Sequence, residues 1–293
     1  MSGLTRRDFL VQTAAAAGAA AVARTAACAA APASAVRGSD LVTLGRSGIR
    51  TSRLGIGTGT HGVGRSSNQQ KLGQDGFTRL VRHAVERGIR YFDTADQYGV
   101  HIFLREALKG LPRDDLFIQT KTRAEHPEVA RADIERFRVE LGAETLDCVL
   151  LHCMTAPTWP ADMLPVMDVL SDAKQKGRVR SVGVSVHGWE PLVAAAGCDW
   201  VDVQLARINP FGTAMDGAPG DVAGQLAKMH DAGRGVIGMK ICGGGNNTSR
   251  EDRLKSLRYV LGLGCVDCFT VGFESIEQLD EMLAMIEQAS ASV

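Results

Sequence analysis

Cys148-Val149-Leu150-Leu151-His152 is the stretch that decides the fold. Its apolar residues follow one another without polar alternation and stop at a histidine. A strand with one wet face alternates apolar and polar side chains, whereas a parallel strand buried on both faces does not. The run therefore predicts a buried parallel strand, and an amphipathic helix is predicted after it over Leu164–Gln175. The same unit recurs on either side. Upstream, predicted strands Leu54–Thr58, Arg90–Thr94 and Leu116–Lys121 precede predicted helices Asp75–Arg87, Ile102–Lys109 and Glu128–Leu141. Downstream, Arg180–Ser185, Val201–Gln204, Val236–Met239 and Cys268–Val271 precede Pro191–Ala196, Val222–Ala232, Ser249–Leu261 and Ile276–Gln288. Gly88, Gly110, Gly142, Gly177, Gly197 and Gly233 fall where helices need a left-handed closing residue. Eight such units predict an α/β fold, a (β/α)8 TIM barrel in a single domain. An open doubly wound sheet is the alternative, weakened because no G-x-G-x-x-G opens a helix. Residues 40–54, with Gly45 and Gly48 between short apolar stretches, suit a hairpin closing the barrel floor.

The chain has 293 residues, with 33 Lys+Arg against 33 Asp+Glu. Balanced charge argues against a general nucleic-acid binder, which needs a basic excess to neutralise phosphates. With 45% hydrophobic and 23% charged residues, the composition excludes a disordered, collagenous or multi-span membrane protein. The N-terminus departs from this average. Arg6-Arg7-Asp8-Phe9-Leu10 opens an alanine-rich apolar run, and Ala33-Ser34-Ala35 has the small-x-small pattern of a cleavage site. Residues 1–35 are expected to be a twin-arginine-type signal peptide read by the export machinery, leaving residues 36–293 as the barrel. The apolar run is shorter than the ~20 residues a membrane-spanning helix requires. The expected location is periplasmic or otherwise extracytoplasmic, with no membrane span in the mature chain.

Polar residues interrupt consecutive strands at their C-terminal ends, where barrels of this kind carry their chemistry. Asp93 ends the second strand, Tyr98 follows in its loop, Lys121 ends the third and His152 the fourth. Singly, a strand-end Asp is a helix cap, a His a structural residue and a Lys a solvated one. Adjacent strands lie ~4.8 Å apart, so in succession these side chains converge on one spot.

Asp93-Thr94-Ala95-Asp96-Gln97-Tyr98-Gly99 resembles the DTAxxYG signature of the aldo-keto reductases. Lys121 and His152 stand where that family keeps its other two catalytic residues. Val182-Gly183-Val184-Ser185 and Asp202-Val203-Gln204 resemble its nicotinamide-amide contacts, and the likeness runs over about residues 40–290. The resemblance implies an NAD(P)-dependent enzyme that reduces an aldehyde, ketone or sugar carbonyl. It implies catalysis by Asp93, Tyr98, Lys121 and His152. The implied cofactor set is Gly57, Thr58, Asp93, Ser185, His187, Gln204, Met239, Lys240, Gly272, Phe273, Ser275 and Gln278. Substrate contacts are expected from His61, Tyr98, His152 and Trp159, with Trp189 as a second apolar wall and Asn209–Gly220 as a candidate lid. No metal is expected, and Cys265 and Cys268 are read as buried thiols rather than zinc ligands.

The chain departs from the family pattern at its cofactor contacts. Val186-His187 follows Ser185 where Asn is usual, so His187 either takes that role or is plain loop. Met239-Lys240 replaces the aromatic that stacks on nicotinamide. After the eighth strand, Val271-Gly272-Phe273-Glu274-Ser275 lacks the cation that holds a 2′-phosphate, and Glu274 would repel one. Both NAD(H) and NADP(H) therefore stay open. Two functions remain: an exported reductase, or a nicotinamide-binding partner subunit that senses redox state with little turnover.

Overall fold

The structure, a computed structural model, describes residues 35–291. Residues 1–34 of the expected signal peptide, residues 1–35, lie outside the described residues. Ten strands follow in chain order: β1 (Leu41–Thr43), β2 (Arg50–Ser52), β3 (Leu54–Gly57), β4 (Tyr91–Asp93), β5 (Phe117–Thr122), β6 (Leu146–Met154), β7 (Val179–Val186), β8 (Val203–Arg207), β9 (Gly235–Met239) and β10 (Cys268–Gly272). β3 to β10 form a closed barrel of parallel strands, with β10 pairing back onto β3. Helices Gly73–Glu86, His101–Leu108, Pro127–Leu141, Leu164–Gln175, Trp189–Ala196, Pro219–Asp231, Arg250–Gly262 and Ile276–Ser290 each follow one barrel strand. The architecture is the single-domain (β/α)8 TIM barrel expected from the strand pattern.

Local sequence accounts for these elements. In helix Pro127–Leu141, Pro127 stands in the first turn, where its missing N–H costs nothing. Ala130, Ile134, Phe137 and Leu141 recur at helical spacing and are buried. Gly142 closes the helix at φ 63° and donates its N–H to the Arg138 carbonyl. Of the expected closing glycines, Gly197 alone is not left-handed, at φ −87°.

Two strands run three residues past their expected C-terminal ends, and both extensions matter. β6 continues through His152 to Met154, with a register break between Leu151 and Met154. β8 continues past Gln204 to Arg207, which still pairs with Met239. Backbone pairing persists there after the apolar run has ended.

β1 and β2 form the expected hairpin across the barrel floor. Leu44 and Ile49 enter the barrel and join Tyr91, Phe117, Leu150, Leu205 and Ile237 in its interior cluster. Gly45 is required by close approach: at φ 45°, a Cβ there would lie 2.4 Å from the Arg234 carbonyl carbon. With the floor plugged, the polar chemistry is confined to the opposite end. Register arranges it in steps, pairing Asp93 with Gln119 and then Lys121 with Leu150, two residues below His152. Leu44→Ala should cost about 2–5 kcal/mol of unfolding free energy, since a fully buried leucine leaves a cavity. Urea denaturation measures it, and a loss below ~1 kcal/mol would show that the floor is not packed by this residue.

Candidate active site

Backbone strain marks the C-terminal mouth of the barrel. Among the described residues, the non-glycine positions with positive φ are His61, Arg65, Cys153, Ala214 and Lys240. All of them lie at the C-terminal ends of barrel strands or in the loops that follow those ends. Such conformations cost ~1–3 kcal/mol each and cluster where a site demands them.

At the centre of the mouth, Lys121 Nζ donates to Asp93 Oδ1 at 2.5 Å and to the Thr94 carbonyl at 2.8 Å. Gln119 Nε2 donates to the same Asp93 oxygen at 2.7 Å. Only 1% of the Lys121 side chain is exposed. Burial opposes its charge, but Asp93 and Tyr98 more than offset that and its pKa is raised. Tyr98 ends a short turn, Asp96–Tyr98, and its ring lies against Gly59 and Gly62. A Cβ on either glycine would come within 2.4 Å of the ring, so the absence of side chains there makes room for the phenol. Lys121 Nζ lies 4.9 Å from the Tyr98 ring centroid. The His152 ring meets that ring edge-on, with centroids 5.7 Å apart.

Burial pushes the Tyr98 phenol up, Lys121 pulls it back part of the way, and Asp93 pushes it up again. Tyr98 thus keeps its proton at neutral pH. Burial, followed by Lys121, Arg123 and His187, pushes His152 down to about 3. Its Nδ1 is buried without a hydrogen-bond partner. The turn that carries Tyr98 is pinned from outside. Asp96 accepts from Arg65 at 2.7 Å and Arg136 at 2.6 Å, while His101 bridges Glu140 and the Thr120 hydroxyl beside Lys121.

The residues expected at the cofactor fall into three groups. Gly57, Thr58 and Ser185 lie at the C-terminal ends of β3 and β7, in or just beyond the strands, whereas Gln204 lies within β8. Gln204 Oε1 is buried and has no partner, an acceptor suited to an amide N–H. Ser185 Oγ accepts from the Cys153 N–H, which leaves its own proton to donate. An unmet acceptor and a free donor on neighbouring strands fit the carboxamide of a nicotinamide. His187 instead contacts the Cys153 thiol, Nδ1 to Sγ 3.1 Å, and burial pushes its pKa down to about 4. Met239 ends β9 and Lys240 follows it, exposed at φ 56°.

The third group follows β10. Gly272 is exposed, while the Phe273 side chain is buried and only its backbone borders the loop. Ser275 caps helix Ile276–Ser290, accepting from the Gln278 N–H. Glu274 accepts from Asn68 Nδ2 at 2.7 Å. Arg250 and Arg253, the nearby cations that could have served a 2′-phosphate, are engaged with Glu281, Arg253 at 2.9 Å.

The expected substrate contacts divide. Tyr98 and His152 meet in the site, and His61 is exposed on the loop after β3. Trp159 is elsewhere: its side chain is packed in the helix–sheet core and its Nε1 donates to the Pro191 carbonyl. An indole buried in that way is structural and does not wall the mouth. Trp189 packs on Gly217. Asn209–Gly220 is tied down by Asn209 to the Thr213 and Lys240 carbonyls and by Asp216 to Gly188, which does not suit a lid. Cys265 and Cys268 are buried and unpaired. Sequence reasoning missed Gln119, which fixes Asp93, and the Arg207–Asp216 pair beside Lys240. It also missed Gln69, which joins the loops after β3 and β10 by donating to Thr60 and the Phe273 carbonyl.

The model of the Aldo/keto reductase family matches residues 53–260. An aldo-keto reductase of Mycobacterium avium (strain 104) is 32% identical over 123 residues, 39% of this chain and 41% of that protein. The NADH-specific methylglyoxal reductase of Escherichia coli (strain K12) is 25% identical over 167 residues, 49% of this chain and 51% of that protein. The chain thus spans about half or less of the length of these curated relatives. An aldo-keto reductase from Bacillus halodurans, solved in its holo form, superposes with a TM-score of 0.68 at 19% identity, over 85% of this chain and 91% of that one.

The depressed basicity of His152 has a visible consequence. Its folded pKa of about 3 lies below the ordinary 6.5, so the folded chain binds fewer protons than the unfolded one between those values. His152 therefore weakens folding as pH falls through that window. Its ring resonances in an NMR titration should show no step above pH ~5; a midpoint near the ordinary ~6.5 would contradict a neutral His152.

Proposed function

The chain belongs to the aldo/keto reductase family, and from that premise we propose that it reduces an aldehyde or ketone to an alcohol, with Tyr98 as the proton donor. The observation that carries this reading is the convergence of Asp93, Lys121, Tyr98 and His152, with the ammonium 4.9 Å from the phenol ring and buried against its carboxylate. A nicotinamide cofactor, when bound, supplies the hydride. Gly57, Thr58, Asp93, Ser185, Gln204, Met239, Lys240, Gly272, Phe273, Ser275 and Gln278 are the residues proposed to hold it. His187 is a weaker candidate, because its Nδ1 is occupied by the Cys153 thiol.

Each side chain has a definite task. As a carbonyl carbon is reduced, negative charge develops on its oxygen, and a proton must be delivered there. Tyr98 holds that proton and gives it up. Lys121 stabilises the phenolate left behind. Asp93 and Gln119 keep the ammonium in place. His152, neutral, offers its ring as hydrogen-bond partner to the same oxygen and orients it.

The reading extends to the choice of cofactor. Glu274 beside the loop after β10, with Arg250 and Arg253 occupied by Glu281, favours a free ribose 2′-hydroxyl over a 2′-phosphate, and hence NADH. A carboxylate within ~4 Å of a phosphate costs roughly 1–4 kcal/mol at surface-like dielectric. Export by the twin-arginine route is proposed on Arg6-Arg7-Asp8-Phe9-Leu10 and the alanine-rich run after it. That route carries proteins already folded, so cofactor could travel with the barrel.

Tyr98→Phe should fold normally, by circular dichroism, and lose about 10²–10⁴-fold in kcat for carbonyl reduction. Near-normal turnover would give the proton to another group. For the cofactor, fluorescence titration of wild type and Glu274→Arg with NADH and NADPH should show tighter NADPH binding in the variant. Wild type binding NADPH a hundredfold tighter than NADH would overturn the preference.

A further inference from the structure

A second charged pair lies at the mouth, and carbonyl reduction does not use it. β8 sends Val203 and Leu205 into the barrel interior, and strand alternation then directs Arg207 toward the mouth above them. The Arg207 side chain is only 17% exposed. Its Nη2 meets Asp216 Oδ1 at 2.6 Å, and that oxygen also accepts the Gly188 N–H at 2.8 Å. Arg207 Nε is buried without a partner, and so is Asp216 Oδ2.

The pair sits among further cations. Lys240, just after β9, is exposed overall, yet partial desolvation and then Arg207 lower its pKa. His187, on β7's end, feels Arg207 in the same sense. Within the mouth, Asp93 answers Lys121 and Asp216 answers Arg207. Lys240 and Arg123 form no ion pair among the described residues. The mouth therefore carries a surplus of positive charge, Lys240 and Arg123 at its exposed rim and Arg207 largely withdrawn from water. A guanidinium with unused N–H groups matches the two oxygens of a carboxylate.

We propose that Arg207 is a specificity residue that selects carbonyl substrates bearing a carboxylate, such as oxo acids or semialdehyde acids, with Lys240 and Arg123 supplying the surrounding field. This rests on the reductase reading above. Arg207 binds the carboxylate at the end of the substrate away from the reacting carbonyl. Asp216 holds the guanidinium in place while leaving part of its donor set unused.

The test compares 4-carboxybenzaldehyde with its methyl ester as substrates for the NADH-loaded enzyme. Alongside it, terephthalate binding is measured by calorimetry, and NADH binding by fluorescence. Wild type should prefer the carboxylate by about 10- to 100-fold in kcat/KM, the scale of a charge-assisted hydrogen bond. Arg207→Met should bring that ratio to near one and weaken terephthalate binding by a similar factor, with NADH affinity little changed. Arg207→Lys should keep part of the preference, and Asp216→Asn, which frees the guanidinium, should increase it. These two variants keep the test informative if Arg207→Met does not fold. Equal use of both aldehydes by wild type would overturn the proposal and leave the reductase reading standing. A loss of NADH affinity in Arg207→Met matching its loss for the acid would assign Arg207 to the cofactor's phosphates and also overturn it. If neither aldehyde is reduced, the reductase reading fails, and terephthalate binding alone decides: equal affinity in wild type and Arg207→Met overturns the anion site.

Discussion

Taking an ammonium group out of water costs several kcal/mol unless a carboxylate and further acceptors meet it. Lys121 meets that requirement at the top of the barrel with Asp93 and the Thr94 carbonyl, and Gln119 takes up the same Asp93 oxygen from the next strand. This constraint reaches outward. Asp93 and Lys121 must come from adjacent parallel strands at a fixed register. In this chain that register sits in a closed barrel whose floor is filled by Leu44, Ile49 and the rings of Tyr91 and Phe117. The plug at one end and the ion pair at the other divide the barrel into an apolar half and a reactive half.

Tyr98 depends on the same pair. Burial alone would hold the phenol's proton too tightly, and Lys121 lessens that. Two glycines admit the ring and two arginines pin the turn behind it. The neighbouring histidine is kept neutral by burial and by cations. A proton donor, a cation that stabilises its conjugate base and a neutral hydrogen-bonding ring make a site suited to delivering a proton to a developing alkoxide.

Much of this was legible in the sequence because burial on both faces leaves an unbroken apolar signature. Cys148-Val149-Leu150-Leu151 reads as a parallel strand buried on both faces, and a polar residue at its end stands out. The same logic located Asp93 and Lys121. It failed where backbone pairing outlasts hydrophobicity. β8 was expected to end at Gln204, which placed Arg207 in a loop; three further residues of pairing turn it inward. Trp159 follows the strand that ends near His152 and so reads from sequence as a mouth residue, but its large apolar surface is satisfied by the helix layer instead. The pairing of Arg250 and Arg253 with Glu281, on the next helix, leaves no local trace in the sequence either. These misses share a cause: they depend on contacts between elements distant in sequence, for which local pattern carries no signal.

The coupling of Lys121 to Tyr98 is measured most directly by titrating the tyrosine itself. The chain has three tyrosines, so the Tyr98 phenol carbon is assignable by comparison with Tyr98→Phe in ¹³C-tyrosine NMR. Its titration midpoint should rise when the cation is removed in Lys121→Met. It should rise also when both charges go in Asp93→Asn/Lys121→Met, because Lys121 outweighs Asp93 at the phenol. A midpoint that stays in place or falls in both variants would show that the ion pair does not govern the proton on Tyr98.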